Sequence, residues 1–156
     1  MALRSKAKIS ASILLALCLP ALAATSSAFG RELPKTEQEL IDQVRTAITK
    51  GDMETISDLI NWQGAGEMKR RITNFQIRHS LSRPVRSITL EPFPEDGLRE
   101  VEARGTLKAN MPVTYRLRVV FDEAADENGA TPASVFLIGK MNDAYRIALI
   151  IATKPR

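Results

Sequence analysis

The chain has 156 residues, of which 44% are hydrophobic, and it carries a formal net charge of +4. This size and balance exclude a long disordered tail, a collagen-like fibre and an assembly of several domains, so we expect a single domain.

The first 23 residues have the order of a secretory signal peptide. Arg4, Lys6 and Lys8 come first, without any acidic residue among them. An apolar stretch over residues 9–22 follows, and Ala21-Leu22-Ala23 supplies a small-x-small cleavage site. We therefore expect export to the periplasm or the extracellular space, removal of residues 1–23 and a flexible linker over residues 24–33. Cleavage after Ala24 or Ala28, and retention as an uncleaved anchor, stay open as alternatives.

Removing the predicted leader changes the charge balance. It contains three of the 22 Lys and Arg residues and none of the 18 Asp and Glu residues, so the remainder carries about +1. The basic excess is therefore mostly targeting signal, and we expect no nucleic-acid partner. Cys18 lies in the leader, so the remainder has no cysteine and must be stable through core packing without disulfides.

Three helices are predicted at the start of the mature chain. Thr36 and Glu39 have the spacing of a capping box, and a 3.6-residue apolar period runs from Leu40 to Ile48. Gly51 ends this first helix and Asp52 caps a short second one. A third helix is predicted over residues 67–81, where an apolar stripe recurs at spacings of four, three and four: Met68, Ile72, Phe75 and His79. We expect this stripe to face the core.

After Pro84 the apolar period becomes two, which is typical of strands. Strands are predicted over residues 85–91, 98–109, 113–121, 134–140 and 145–153, with a tight turn at Asn142-Asp143. Alternation is clearest over residues 113–121, where one face is apolar and the other mostly polar. Helices followed by strands predict an α+β domain over residues 34–154, with the helices packed on a curved antiparallel sheet of four to five strands.

Three short segments of this order resemble the nuclear transport factor two-like superfamily, whose fold is a cystatin-like α+β cone. They are the Lys50-Gly51-Asp52 junction, the Leu59-Ile60-Asn61-Trp62 segment and the hairpin over residues 140–145. The glycine that the family usually has in that hairpin is Ala144 here. The resemblance covers residues 34–154 and implies a cone with a central pocket. No catalytic motif of the family matches, so the resemblance assigns no catalytic residue.

The aromatic residues and the lone histidine are the candidate pocket residues. We name Trp62, His79, Tyr115 and Tyr145 as ligand-binding candidates, each with a structural role as the alternative. One histidine and no mature cysteine exclude the usual zinc sites. The acidic loop over residues 122–129 fails the EF-hand spacing, because Glu127 stands where the glycine is needed. We therefore expect no metal and no cofactor.

Charge patterning gives a second candidate site. No acidic residue lies between Glu67 and Glu91, whereas basic residues accumulate there, and four of them form a candidate anionic-surface site: Lys69, Arg70, Arg71 and Arg78. Contact with an anionic membrane surface or an acidic partner is one interpretation. A solvated helix face balanced by the acidic segments 91–102 and 122–127 is the other.

These observations favour an exported domain that binds a small apolar ligand or a protein partner without catalysis. An isomerase- or cyclase-like enzyme that uses the same cone is the first alternative. A domain that forms homodimers through its open sheet is the second.

Overall fold

A computed structural model describes residues 32–153, and the predicted leader and most of the predicted linker lie outside them. In chain order the elements are α1 (Glu37–Lys50), α2 (Met53–Leu59), α3 (Glu67–Ser80), β1 (Val85–Pro92), α4 (Arg99–Ala103), β2 (Leu107–Ala109), β3 (Tyr115–Phe121), β4 (Ala133–Met141), β5 (Ala144–Ala148) and β6 (Ile150–Ala152). The domain is α+β, as predicted.

The local signals at the first two helices act as predicted. The Thr36 hydroxyl accepts a hydrogen bond from the Glu39 amide at 3.2 Å, and the Glu39 carboxylate accepts from the Thr36 amide in return. The amides of Lys35 and Thr36 lower the pKa of Glu39. Gly51 ends α1 with φ +70°, a conformation that favours glycine, and Asp52 caps α2.

The main sheet is antiparallel and has four strands in the order β1-β3-β4-β5. Leu117, Val119 and Phe121 of β3 are fully buried on one face, while Arg116 and Arg118 are exposed on the other, which confirms the predicted alternation. The buried face packs against the apolar side of α1 and α2. Each large apolar side chain buried there contributes about 1.5–3 kcal/mol to folding.

The turn between β4 and β5 is also as predicted. Asn142 and Asp143 both have positive φ, 53° and 60°, as a two-residue type I′ hairpin turn requires.

The prediction of a strand over residues 98–109 is wrong for its first half. Residues 99–103 form α4, and the strand β2 covers only Leu107–Ala109. The segment Arg-Glu-Val-Glu-Ala consists mainly of good helix formers and has a single large apolar residue, so it cannot supply the buried face of a strand.

The last predicted strand is divided in two at Leu149. β5 pairs with β4 as far as Ala148, and β6 then pairs with β2 to form a separate two-stranded sheet. Asn110 fixes this change of partner through two hydrogen bonds to Leu149. Its side-chain oxygen accepts from the Leu149 backbone amide at 2.9 Å, and its backbone amide donates to the Leu149 carbonyl at 2.9 Å. The Asn110 side-chain nitrogen donates to the carbonyls of Asn61 and Gln63. Asn110 therefore links the connection between α2 and α3 to the break at Leu149 between β5 and β6.

Within residues 32–153, no helix has the length and apolarity needed to cross a membrane.

Candidate ligand-binding cleft

A cleft of about 330 Å³ lies between α3 and the sheet, beside the break at Leu149. β4 pairs with β5 only from Leu137 onward, so residues 133–136 have a strand partner on one side alone within the described chain, namely β3. On the other side β6 has turned away to join β2. The cleft occupies the space left by this divergence, and α3 forms its far wall.

The two walls differ in polarity. The sheet wall is apolar and includes Phe136, Leu137, Ile147, Leu149 and Ile150. The helix wall is mostly polar and includes Lys69, Thr73, Gln76, Ile77 and Ser80. These helix positions extend from Lys69 to Ser80, which is 11 residue steps or about 16 Å of helix at 1.5 Å per residue. The cleft is therefore elongated, with one apolar and one polar side.

Ser80 and Ser134 close one end of the cleft, their hydroxyl oxygens 2.8 Å apart. Lys69 lines the cleft eleven residues earlier on the helix, half-buried and without a hydrogen bond or ion pair among residues 32–153. Thr73 lies one turn from Lys69 and is 6% exposed. Its buried hydroxyl has no hydrogen-bond partner in the described chain. A buried hydroxyl without a partner costs about 1–3 kcal/mol of folding free energy, so the Thr73 hydroxyl lowers the stability of the protein.

The predicted orientation of α3 is wrong. Met68 and Phe75 are each 63% exposed and Ile72 is 46% exposed, and His79 is exposed beside them, its ring edge-on to Phe75 at 4.4 Å. The buried face instead carries Thr73, Ile77 and Ser80. Contacts at the two ends of the helix set this rotation: Arg70 against Trp62 at one end, and the serine pair at the other.

None of the four predicted pocket residues lines the cleft. Trp62 donates to the Ser57 carbonyl and packs on the edge of the core. Tyr115 and Tyr145 lie together, with ring centroids 6.1 Å apart, and Tyr145 is adjacent to Lys140 in the ladder. Lys140 is six residues along β4 from Ser134, which corresponds to about 20 Å. His79 is exposed on α3, with its ring against Phe75.

The four predicted anionic-surface residues point in different directions around α3. Arg70 donates to the carbonyls of Ala65 and Trp62, and Arg71 pairs with Glu67 at 2.9 Å. Lys69 faces the cleft, while Arg78 is exposed and has no ion pair among residues 32–153. The four residues therefore do not form one cluster.

The acidic loop after β3 has a structural use. The Glu123 carboxylate accepts two hydrogen bonds from the Arg83 guanidinium, at 2.7 and 2.5 Å, and Asp122 forms an ion pair with Arg86. The Arg83 contact lowers the pKa of Glu123. Asp126 accepts from two backbone amides within its own turn. These contacts account for the acidic segment 122–127 as a partner of the basic residues that follow α3.

A wider depression of about 510 Å³ lies on the surface of α1 and α2, and its lining includes Glu32, Asp42 and Asp52. These carboxylates do not form a metal site, since the described residues contain no group of three metal-ligating side chains close enough to hold an ion. Asp52 is already engaged as the cap of α2. The cleft beside α3 is thus the better-defined binding geometry.

The sequence contains a signal for the cleft in a second stripe of α3. Thr73, Ile77 and Ser80 recur at spacings of four and three, which marks a second, less apolar stripe on the predicted helix. The prediction buried the more apolar stripe instead, and this placed the wrong face of the helix against the sheet.

Comparison with protein-family models, with curated proteins and with solved structures finds no match for this chain.

Proposed function

We propose that this protein binds, without catalysis, an elongated amphiphile that has an apolar body and a carboxylate head. The observation that carries the proposal is the buried hydroxyl of Thr73, one helical turn from the half-buried Lys69, in a cleft whose other wall is apolar. Neither of these two polar groups has a partner among residues 32–153. Ligand pockets commonly combine a largely apolar lining with a few polar groups that fix orientation.

The two ends of such a ligand would meet different surfaces. Residues four apart on a helix share a face, so the Lys69 ammonium and the Thr73 hydroxyl can both donate to one carboxylate. The apolar body would then run along Ile77, Phe136 and Leu149 toward the serine pair. Binding would pair the Thr73 hydroxyl and shield the apolar sheet wall from water.

The enzyme alternative has less support. General acid–base chemistry needs a titratable pair within hydrogen-bond reach of the substrate. Lys69 is the one ionisable side chain among the described residues that line the cleft, and neither His79 nor Tyr115 lines it.

The proposal also includes the fold around the cleft and the location of the protein. The resemblance to the nuclear transport factor two-like superfamily favours a cone around the four-stranded sheet, with the cleft beside α3 as its opening. The leader over residues 1–23 favours export, so the ligand would be met in the periplasm or outside the cell.

Titration with dodecanoate tests the proposal, measured by calorimetry and compared with dodecyltrimethylammonium, which has the same chain and the opposite charge. We expect dodecanoate to bind and the cationic probe to bind far more weakly. Lys69→Met should weaken dodecanoate binding roughly tenfold or more, because a charge-assisted hydrogen bond contributes about 1.5–3 kcal/mol. Lys108→Met, which removes an exposed lysine of β2, should leave the affinity unchanged.

Thr73→Val supplies a second signature with opposite effects on binding and stability. The variant should bind dodecanoate more weakly, yet it should be more stable without ligand, because it removes a buried hydroxyl that has no partner within the described part of the chain. Thr55→Val is the matched control, since the Thr55 hydroxyl donates to Asp52 at 2.7 Å and its loss should destabilise the protein. Equal binding of both probes, or unchanged affinity in Lys69→Met, would refute the proposed head-group site.

A further inference from the structure

A continuous apolar stripe on α3 faces away from the protein. Met68, Ile72 and Phe75 are each about half exposed or more, and they recur at helical spacing over about two turns. Isolated apolar residues on a surface are ordinary, whereas three large ones in line on one helix mark an interaction surface. The cleft does not use this stripe, because none of the three residues lines it.

Two arginines lie along one edge of the stripe. Arg71 and Arg78 precede Ile72 and His79 by one residue and lie on this edge, whereas Lys69 and Gln76 lie on the opposite edge and line the cleft. The only carboxylate on α3 is that of Glu67, which pairs with Arg71. Arg78 and Lys69 have no ion pair within the described chain.

We propose that the exposed face of α3 docks on a bilayer that contains anionic phospholipid. An exposed apolar stripe on a helix with basic residues beside it is typical of helices that lie in the plane of a membrane interface. The apolar side chains would enter the boundary between head groups and acyl chains, and Arg71 and Arg78 would contact the lipid phosphates. The cleft lies on the neighbouring face of the same helix, so a docked protein would hold its cleft beside the membrane surface.

Radical footprinting of the full chain reads this contact residue by residue. Oxidation of Met68 and Phe75 is measured by mass spectrometry with vesicles of phosphatidylcholine alone and with vesicles that also contain phosphatidylglycerol. Met141, half-buried at the opposite end of β4 from the cleft, is the internal control. We expect the anionic vesicles to remove most of the oxidation at Met68 and Phe75 and to leave Met141 unchanged. Because the readout is local to α3, attachment through the N-terminal segment alone would leave Met68 oxidised and would overturn the proposal.

A double variant tests the same surface by affinity. Phe75→Ser with Arg78→Gln removes one apolar anchor and one cation without touching the cleft. Loss of one cation near an anionic bilayer corresponds to roughly fivefold weaker binding, and loss of the apolar contact adds to it, so we expect a decrease of about tenfold or more. Leu107→Ser with Arg104→Gln is the matched control and should bind like the parent chain.

Three further results would overturn the proposal. Equal protection by neutral and anionic vesicles would remove the role of the cations. Unchanged binding of the Phe75/Arg78 variant would remove the role of the stripe. Protection of Met68 without vesicles, rising with protein concentration, would assign the stripe to contact with a second copy of the chain. Dodecanoate binding is measured in the same variant, and retained affinity shows that the cleft is intact whichever result is obtained.

Discussion

Replacing Asn110 by alanine should test how the domain is held together at the break between β5 and β6. Its side chain makes three hydrogen bonds to backbone groups: it accepts from the Leu149 amide and donates to the carbonyls of Asn61 and Gln63, at 2.9, 2.6 and 3.0 Å. Leu149 and Asn61 are buried, 7% and 3% exposed, so water cannot easily replace the lost partner at two of the three positions.

The expected cost follows from these contacts. A hydrogen bond contributes about 1 kcal/mol net, and a buried group left without a partner costs about 1–3 kcal/mol, so Asn110→Ala should lower the free energy of unfolding by about 3 kcal/mol. For a domain of this size that corresponds to a fall of about 12 °C in Tm. Urea and thermal unfolding followed by circular dichroism measure both quantities. Hydrogen exchange should also show faster exchange of the Leu149 amide than in the parent protein.

Asn128→Ala is the matched control, because Asn128 is exposed in the acidic loop and uses only its backbone amide in that turn. Its cost should stay within about 0.5 kcal/mol. Equal stability of the Asn110 and Asn128 variants would refute the argument that the Asn110 side chain ties the two sheets and the α2–α3 connection together.

Three further predictions concern the sheet, the pH dependence and the predicted leader. Leu117→Asp should unfold the domain, because it places an unpaired charge in the core, whereas Arg118→Asp on the exposed face should cost far less; thermal melts of the two variants compare them directly. The pKa of Glu123 is lowered in the fold by Arg83, so this carboxylate stabilises the protein above its unfolded pKa of about 4.3 and loses that effect as the pH falls through the lowered value. Glu123→Gln should therefore lower the urea midpoint of unfolding near neutral pH, and the midpoint of the variant should decrease less than that of the parent protein below about pH 4. Parallel plots of urea midpoint against pH for the variant and the parent would contradict this. Edman sequencing of the exported protein should begin at Ala24 or within the next few residues, and an intact N-terminus would count against cleavage.

The features that the sequence predicted correctly depend on neighbours in the chain. The capping box of Thr36 and Glu39 involves residues three apart, and the positive φ of Asn142 and Asp143 is a property of the turn itself. The alternation of β3 also predicts its buried face, because the two faces of that strand differ strongly in polarity.

The cleft was missed because it depends on contacts between distant segments. Rotating α3 by half a turn changes which stripe is buried, and the rotation is set by the Ser80–Ser134 contact, between residues 54 apart, and by Arg70 against Trp62. Local hydrophobicity favours the opposite rotation. The break at Leu149 has the same origin, since its cause is the side chain of Asn110, 39 residues earlier.

The unpaired edge of β4 also bears on the solubility of the protein. Residues 133–136 have backbone groups without a strand partner on the cleft side in the described structure, and Val135 and Phe136 are apolar. An open edge of this kind is a template for pairing with another chain and hence for aggregation. α3 lies along this edge and meets it through the serine pair. Any change that loosens α3 would therefore expose an aggregation-prone strand, so the helix that shapes the cleft also keeps separate molecules from joining their sheets.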